Sequence, residues 1–131
     1  MILLGGEKEE LFADGLVMLQ GHDLEVGTNC LGPYLFTLLL ESILSRTAAT
    51  LPPFSVRIVW VATMLQVGAT PADGMQFDKT GTPEILRGMN NYFQSKVGVT
   101  WLATEFAKRL ESQGVLSVVS KYALKCRLIL M

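Results

Sequence analysis

The chain has 131 residues, of which 50% are hydrophobic and 18% charged, and its 11 basic and 12 acidic side chains leave a formal net charge of -1. That length predicts a single domain over 1–131, and the near-neutral balance removes the electrostatic basis for a nucleic-acid partner. The apolar share excludes intrinsic disorder and exceeds what a small domain easily buries alone, so a partner chain is the expected outlet.

The cysteines, Cys30 and Cys126, lie far apart without a Cys-x-x-Cys, and His22 is the one histidine. Neither a disulfide framework nor a metal site is expected from that set. The opening Met-Ile-Leu-Leu-Gly-Gly has too short an apolar run for a signal peptide and no basic stretch before it. The longest apolar run, Leu31 to Leu44, is interrupted by Thr37, Glu41 and Ser42 and falls short of the roughly 20 residues that cross a bilayer. It reads as a buried helix, and a cytoplasmic protein without a membrane span is the expectation.

Glu7 to Gln20 mixes charges with Leu11, Phe12, Leu16, Val17 and Leu19 in a weakly helical pattern that Gly15 disturbs. From about Leu24 to Arg46, Leu31, Leu35, Leu38, Leu39 and Ile43 recur at helical spacing, while Tyr34, Phe36, Leu40 and Leu44 fill other faces. A helix apolar on several faces needs cover from several sides. Pro33 must begin the regular helix or kink it, since it has no amide proton and clashes with the preceding turn. Ser55 to Ala62 is β-branched and apolar almost without alternation, the pattern of a parallel strand buried on both faces. Met64 to Gly81, with Gly68, Pro71, Gly74 and Gly81, reads as a loop. Thr82-Pro83-Glu84 then reads as a helix start, with a capping hydroxyl, a first-turn proline and an early acid. That helix runs to a stop at Gly114, and Val115 to Ser120 is a second buried strand. The order αβαβ predicts an α/β fold, a parallel sheet with crossover helices.

The chemistry-bearing residues are Asn29, Thr63, Tyr92, Ser95 and Lys96. Four residues apart on a helix, Tyr92 and Lys96 share one face about one turn apart. A neighbouring cation favours the phenolate and draws a tyrosine pKa down from about 10 toward working pH, which makes the phenol a usable general acid or base. Taken alone, the spacing is common, and its plain reading is a surface pair on an amphipathic helix. By the same weighing His22 is a capping or surface residue, Met64, Met75 and Met89 fill gaps, Trp60 and Trp101 are core or interface residues, and Lys108-Arg109 suits a helix C-terminus.

Three segments supply context: Gly27-Thr-Asn-Cys-Leu-Gly-Pro-Tyr-Leu-Phe-Thr, Ser55-Val-Arg-Ile-Val-Trp-Val, and Tyr92-Phe-Gln-Ser-Lys followed by Leu102-Ala-Thr-Glu-Phe-Ala-Lys-Arg-Leu. Together, over about Gly21 to Val119, they resemble the short-chain dehydrogenase/reductase family, most closely its fungal members that look like retinol dehydrogenases. The resemblance implies hydride exchange between NADP or NAD and a small carbonyl or alcohol substrate, with NADP the commoner choice among related fungal reductases. It also implies that Tyr92 passes the proton, that Lys96 lowers the tyrosine pKa and holds the nicotinamide ribose, and that Asn29 holds a relay water. The family's usual Val-Ser-Ser is replaced by Val61-Ala62-Thr63, so Thr63 is the candidate catalytic hydroxyl. Its methyl group crowds and stiffens the position, so impaired turnover is expected.

Two departures from the family pattern shape the expectations. Gly5-Gly6 and Gly15 lack the spacing of the glycine turn that holds a dinucleotide's pyrophosphate at a helix N-terminus, and no strand precedes them. After the second strand, Ser120-Lys121-Tyr122-Ala123 stands where the family reads Asn-Pro-Gly. The expected fold is thus a partial Rossmann-like sheet lacking its N-terminal nucleotide-binding half, with weak or no nucleotide binding by this chain. Two functions compete. One is an oxidoreductase using the Tyr-Lys proton transfer. The other is a non-catalytic fragment of the family acting through association, in which the helices near 29–46 and 92–111 meet their copies in a homodimer.

Overall fold

The computed structural model describes residues 17–19, 22–64, 69–71 and 73–122. Most of the helical pattern over Glu7–Gln20, the glycines near the N-terminus and the tail from Cys126 lie outside these residues. Val17 forms an isolated antiparallel bridge with Asp23.

The first long helical segment is built in three pieces: α1 (Leu24–Val26), a π turn over Gly27–Leu31, and α2 (Gly32–Ala48). Asp23, rather than His22, caps it: its carboxylate accepts the Val26 amide at 2.8 Å. The π turn sits directly before Pro33, which stands in the first turn of α2. A regular turn would press the proline ring on the Asn29 carbonyl four residues back; the widened turn, closed by the Gly32 amide on the Gly27 carbonyl, removes that conflict. Pro33 therefore begins the regular helix.

α2 is not the buried helix that its composition suggests. Thr37 and Ala48 alone are buried along it, and Leu35, Phe36 and Leu39 stand 57%, 64% and 69% exposed.

β1 (Val56–Thr63) and β2 (Val115–Tyr122) pair in parallel, Val56 beside Val115 through Thr63 beside Tyr122. The strand is as expected but its burial is not, because Arg57, Val59 and Val61 are exposed and only the alternate residues face the core. A strand buried on both faces needs layers on both sides of the sheet, and the described residues supply a layer on one. On that side α3 (Met89–Leu110) lays Phe106 against Trp60, ring centroids 5.4 Å apart, with Tyr34 of α2 on the other side at 6.1 Å. Val99, Ala103, Leu110 and Val115 belong to the same cluster, which Ala62, Met75, Cys30 and Val26 extend toward the π turn and Ala48 joins from the end of α2. Its polar atoms are satisfied: the Trp60 indole donates to Ser117 Oγ at 2.9 Å, which donates to the Ala103 carbonyl at 2.8 Å. Arg109 ties α3 to α2 through Glu41 at 2.9 Å.

The expected helix start at Thr82-Pro83-Glu84 is corrected: α3 begins at Met89. The cap signal is spent on a tied loop instead, in which Thr82 gives its amide to the Asp78 carboxylate, Pro83 bridges to Phe77, and Glu84 gives its amide to the Gln76 carbonyl. The helix stop stands as expected: a 3-10 turn, Glu111–Gln113, ends on Gly114 at φ 75, left-handed backbone that a side chain would strain. The described part of Met64–Gly81 is largely irregular, as expected. Of the methionines weighed as gap fillers, Met75 is buried, whereas Met64 and Met89 are exposed. Trp101 is half exposed and stacks on Phe77 at 6.4 Å.

Candidate active site

The first face of α3 meets the π turn, and the contact is close because Gly98 carries no side chain. A Cβ there would stand 2.7 Å from Cys30 Sγ and 2.8 Å from Met75 Sδ. Cys30 donates its thiol hydrogen to the Ser95 carbonyl at 3.1 Å. Around this seam the polar residues form one chain of hydrogen bonds. Lys96 Nζ donates to Asn29 Oδ1 at 3.1 Å; Asn29 Nδ2 donates to Ser95 Oγ at 2.9 Å and to Glu25 Oε2 at 3.2 Å; Ser95 Oγ donates to the Tyr92 carbonyl at 2.7 Å. Lys96 Nζ also donates to the Val61 carbonyl at 3.3 Å, near the C-terminal end of β1, and lies 5.5 Å from the centre of the Tyr92 ring. Thr63 is buried two residues further along β1.

Helix spacing explains the convergence. Tyr92, Ser95 and Lys96 fall on one side of α3 at the three- and four-residue intervals that align side chains, and Glu25 and Asn29 do the same across α1 and the π turn. The two sides were not linked by any local pattern, and Ser95, fully buried, joins them. Glu25 and Asp23 were not expected to take part. Asp23 accepts Asn91 Nδ2 at 2.9 Å with the carboxylate oxygen not used for capping. Asn91 Oδ1 in turn receives the Leu86 amide and Gln94 Nε2, and Gln94 also holds the Glu84 carbonyl and the Gln76 amide. This second network moors the 76–88 loop to the start of α3. Its sequence signal is slight: Asn91 and Gln94, three residues apart, are polar side chains that the fold buries.

Both amide protons of Asn29 are engaged by protein acceptors, and its oxygen meets Lys96 directly, so the side chain itself links Lys96 to the helix seam.

Burial shapes the charges here. The Lys96 pKa is pulled below that of a free lysine chiefly by desolvation, an effect opposed by Cys30 and Glu25. Glu25 is pushed up by desolvation and then by Asp23, with Lys96 and the Asn29 hydrogen bond acting the other way. Burial pushes the Cys30 thiol up to about 11, above the ordinary value of 9.0, partly offset by Lys96. A thiol whose folded pKa lies above its unfolded value contributes stability in full below the unfolded pKa and loses it as pH rises through the folded one. Folding stability should therefore fall between about pH 9 and 11 by up to roughly 2 kcal/mol more in the wild-type chain than in Cys30→Ala. Urea melts of the two proteins across that range check it; parallel pH profiles would refute it.

Among the described residues, no group of three metal-capable side chains is present, and no helix is long and apolar enough to cross a membrane.

Over about three quarters of its length the chain is similar to fungal oxidoreductases. It is 39% identical over 100 residues to the short-chain dehydrogenase/reductase bet4 of Neocamarosporium betae, covering 75% of this chain and 29% of that protein. It is 37% identical over 100 residues to the short-chain dehydrogenase/reductase sthC of Phaeosphaeria nodorum, covering 75% and 32%. It is 41% identical over 99 residues to the uncharacterized oxidoreductase C736.13 of Schizosaccharomyces pombe, covering 75% and 29%. The chain thus spans about a third of the length of the curated relatives it matches. No family model matches the chain, and no solved structure is significantly similar to it.

Proposed function

Because the chain belongs to the short-chain dehydrogenase/reductase family, we propose that its described region is the proton-handling part of an oxidoreductase that reduces a carbonyl or oxidises an alcohol. The observation that supports this most is the placement of the Lys96 ammonium, held at once by Asn29 Oδ1 and the Val61 carbonyl and 5.5 Å from the Tyr92 ring.

In the reducing direction, the Tyr92 phenol gives its proton to the carbonyl oxygen as that oxygen gains negative charge. Lys96 stabilises the phenolate left behind, and the half-buried setting strengthens that attraction relative to water. Asn29 fixes the ammonium, and the Thr63 hydroxyl donates to the substrate oxygen. In the oxidising direction the same proton returns to the phenolate. NADP or NAD, when bound, supplies or accepts the hydride. The residues present fit the nicotinamide ribose: an ammonium has three donors, and Asn29 and Val61 occupy two of those on Lys96, leaving one for a ribose hydroxyl beside Tyr92. A glycine-rich corner from strand to helix, the usual holder of the phosphates, is not among the described residues.

A second reading is favoured by one observation: Leu35, Phe36 and Leu39 expose a continuous apolar stretch on α2. In that reading the chain is non-catalytic and works through a homodimer built on the helices near 29–46 and 92–111. A single experiment separates the two. The purified chain is given NADPH or NADH with a panel of small ketones and aldehydes, nicotinamide absorbance is followed, and mass is measured by light scattering. The expected result is slow oxidation of the nicotinamide that disappears in Lys96→Met. A dimer with no turnover on any substrate would overturn the catalytic reading in favour of the second.

A further inference from the structure

Glu25 has no role in the proton transfer described above, yet it accepts a hydrogen bond from Asn29 and its charge acts on Lys96. An amide side chain can be set either way round, and the choice decides what Asn29 offers to Lys96. Ser95 gives its hydrogen to the Tyr92 carbonyl and so can only accept from Asn29. An ionised Glu25 carboxylate can likewise only accept. Reversing the amide would place oxygen against the Glu25 carboxylate and the Ser95 lone pairs and amide hydrogens against the Lys96 ammonium, three repulsive contacts in exchange for three favourable ones.

We propose, building on the reading of Lys96 as the group that tunes Tyr92, that Glu25 is a positioning residue: it locks the Asn29 amide with its oxygen toward Lys96 and supplies the counter-charge that keeps Lys96 an ammonium. Its position one helical turn before Asn29 makes this possible, because the four-residue step brings the carboxylate to the amide nitrogen at 3.2 Å. The charged and titratable groups around the pair are Asp23 beside Glu25, and Cys30 and Tyr92 beside Lys96. Asp23 is committed to the Val26 and Asn91 amides, and Cys30 is a neutral thiol below about pH 11, which leaves Glu25 as the anion aimed at this seam. The directions of titration agree: Glu25 and Lys96 each favour the charged form of the other against the burial of both.

The test is a carbon-13 NMR titration of the lysine Cε resonances in the full chain, with Lys96 assigned by its loss in Lys96→Met. Glu25→Gln keeps an oxygen that can accept from Asn29 and removes the charge, so the Lys96 pKa should fall. Glu25→Ala should lower it at least as far and shift the Asn29 side-chain amide signals, which Glu25→Gln should leave near their wild-type positions. The reciprocal measurement covers the case in which Glu25→Ala does not fold: in Lys96→Met the Glu25 carboxyl should titrate at higher pH. An unchanged Lys96 titration in folded Glu25→Gln overturns the proposal, as does an unchanged Glu25 titration in Lys96→Met. Neither readout requires turnover. An unmoved Lys96 would leave the Tyr92 reading intact, and a shifted Lys96 in a chain without turnover would uphold the Glu25 role while removing the catalytic one.

Discussion

Replacing Tyr92 with phenylalanine is expected to lower kcat/KM for carbonyl reduction by about a hundredfold to ten-thousandfold, the range that a positioned general acid contributes. The substitution removes one oxygen and keeps the ring, whose contacts are the edge of Phe93 at 5.8 Å and the Lys96 ammonium at 5.5 Å. The hydrogen bonds that organise the seam use the Tyr92 carbonyl, which phenylalanine retains. Thermal stability should therefore stay within about 0.5 kcal/mol of the parent, and the loss should appear in the rate. Steady-state kinetics beside a thermal melt would show it. Equal turnover in the two proteins would remove Tyr92 from the chemistry and reduce the Tyr-x-x-x-Lys spacing to a surface pair.

Phe106→Ala should act in the opposite sense, costing stability by about 3–5 kcal/mol, a large part of what a small domain has in total. Phe106 is 3% exposed and lies between Trp60 and Tyr34, so it joins the sheet to both long helices. Its removal leaves a void lined by elements that are fixed elsewhere, Trp60 by Ser117 and α3 by the Arg109–Glu41 pair, and that cannot close over it. Urea unfolding followed by tryptophan fluorescence measures the loss. A cost below about 1 kcal/mol would mean that the site collapses freely and that this cluster is not the core. The same burial removes Phe106 from any interface between copies; surface available to a partner lies on α2, at Leu35, Phe36 and Leu39.

What the sequence determined by itself were features written in one stretch of chain. The β-branched run from Ser55, the glycine stop at 114 and the four-residue step from Tyr92 to Lys96 each depend on local backbone geometry, and each stands where it was expected. Pro33 fixed the start of the regular helix for the same reason. Tertiary structure decided the rest. Thr82-Pro83-Glu84 has the chemistry of a helix cap, but Asp78, Phe77 and Gln76 compete for the same backbone groups and win them, and Gln94 and Asn91 hold the resulting loop. The faces of β1 could not be told apart from composition, because burial depends on which layers cover a strand and an apolar run is silent on that. The site shows the same division. Tyr92 and Lys96 were legible as one helix face, whereas their union through Ser95 with Glu25 and Asn29, more than sixty residues away in sequence, required the π turn to lie against α3 at Gly98, a contact set by the absence of a side chain and by three-dimensional packing.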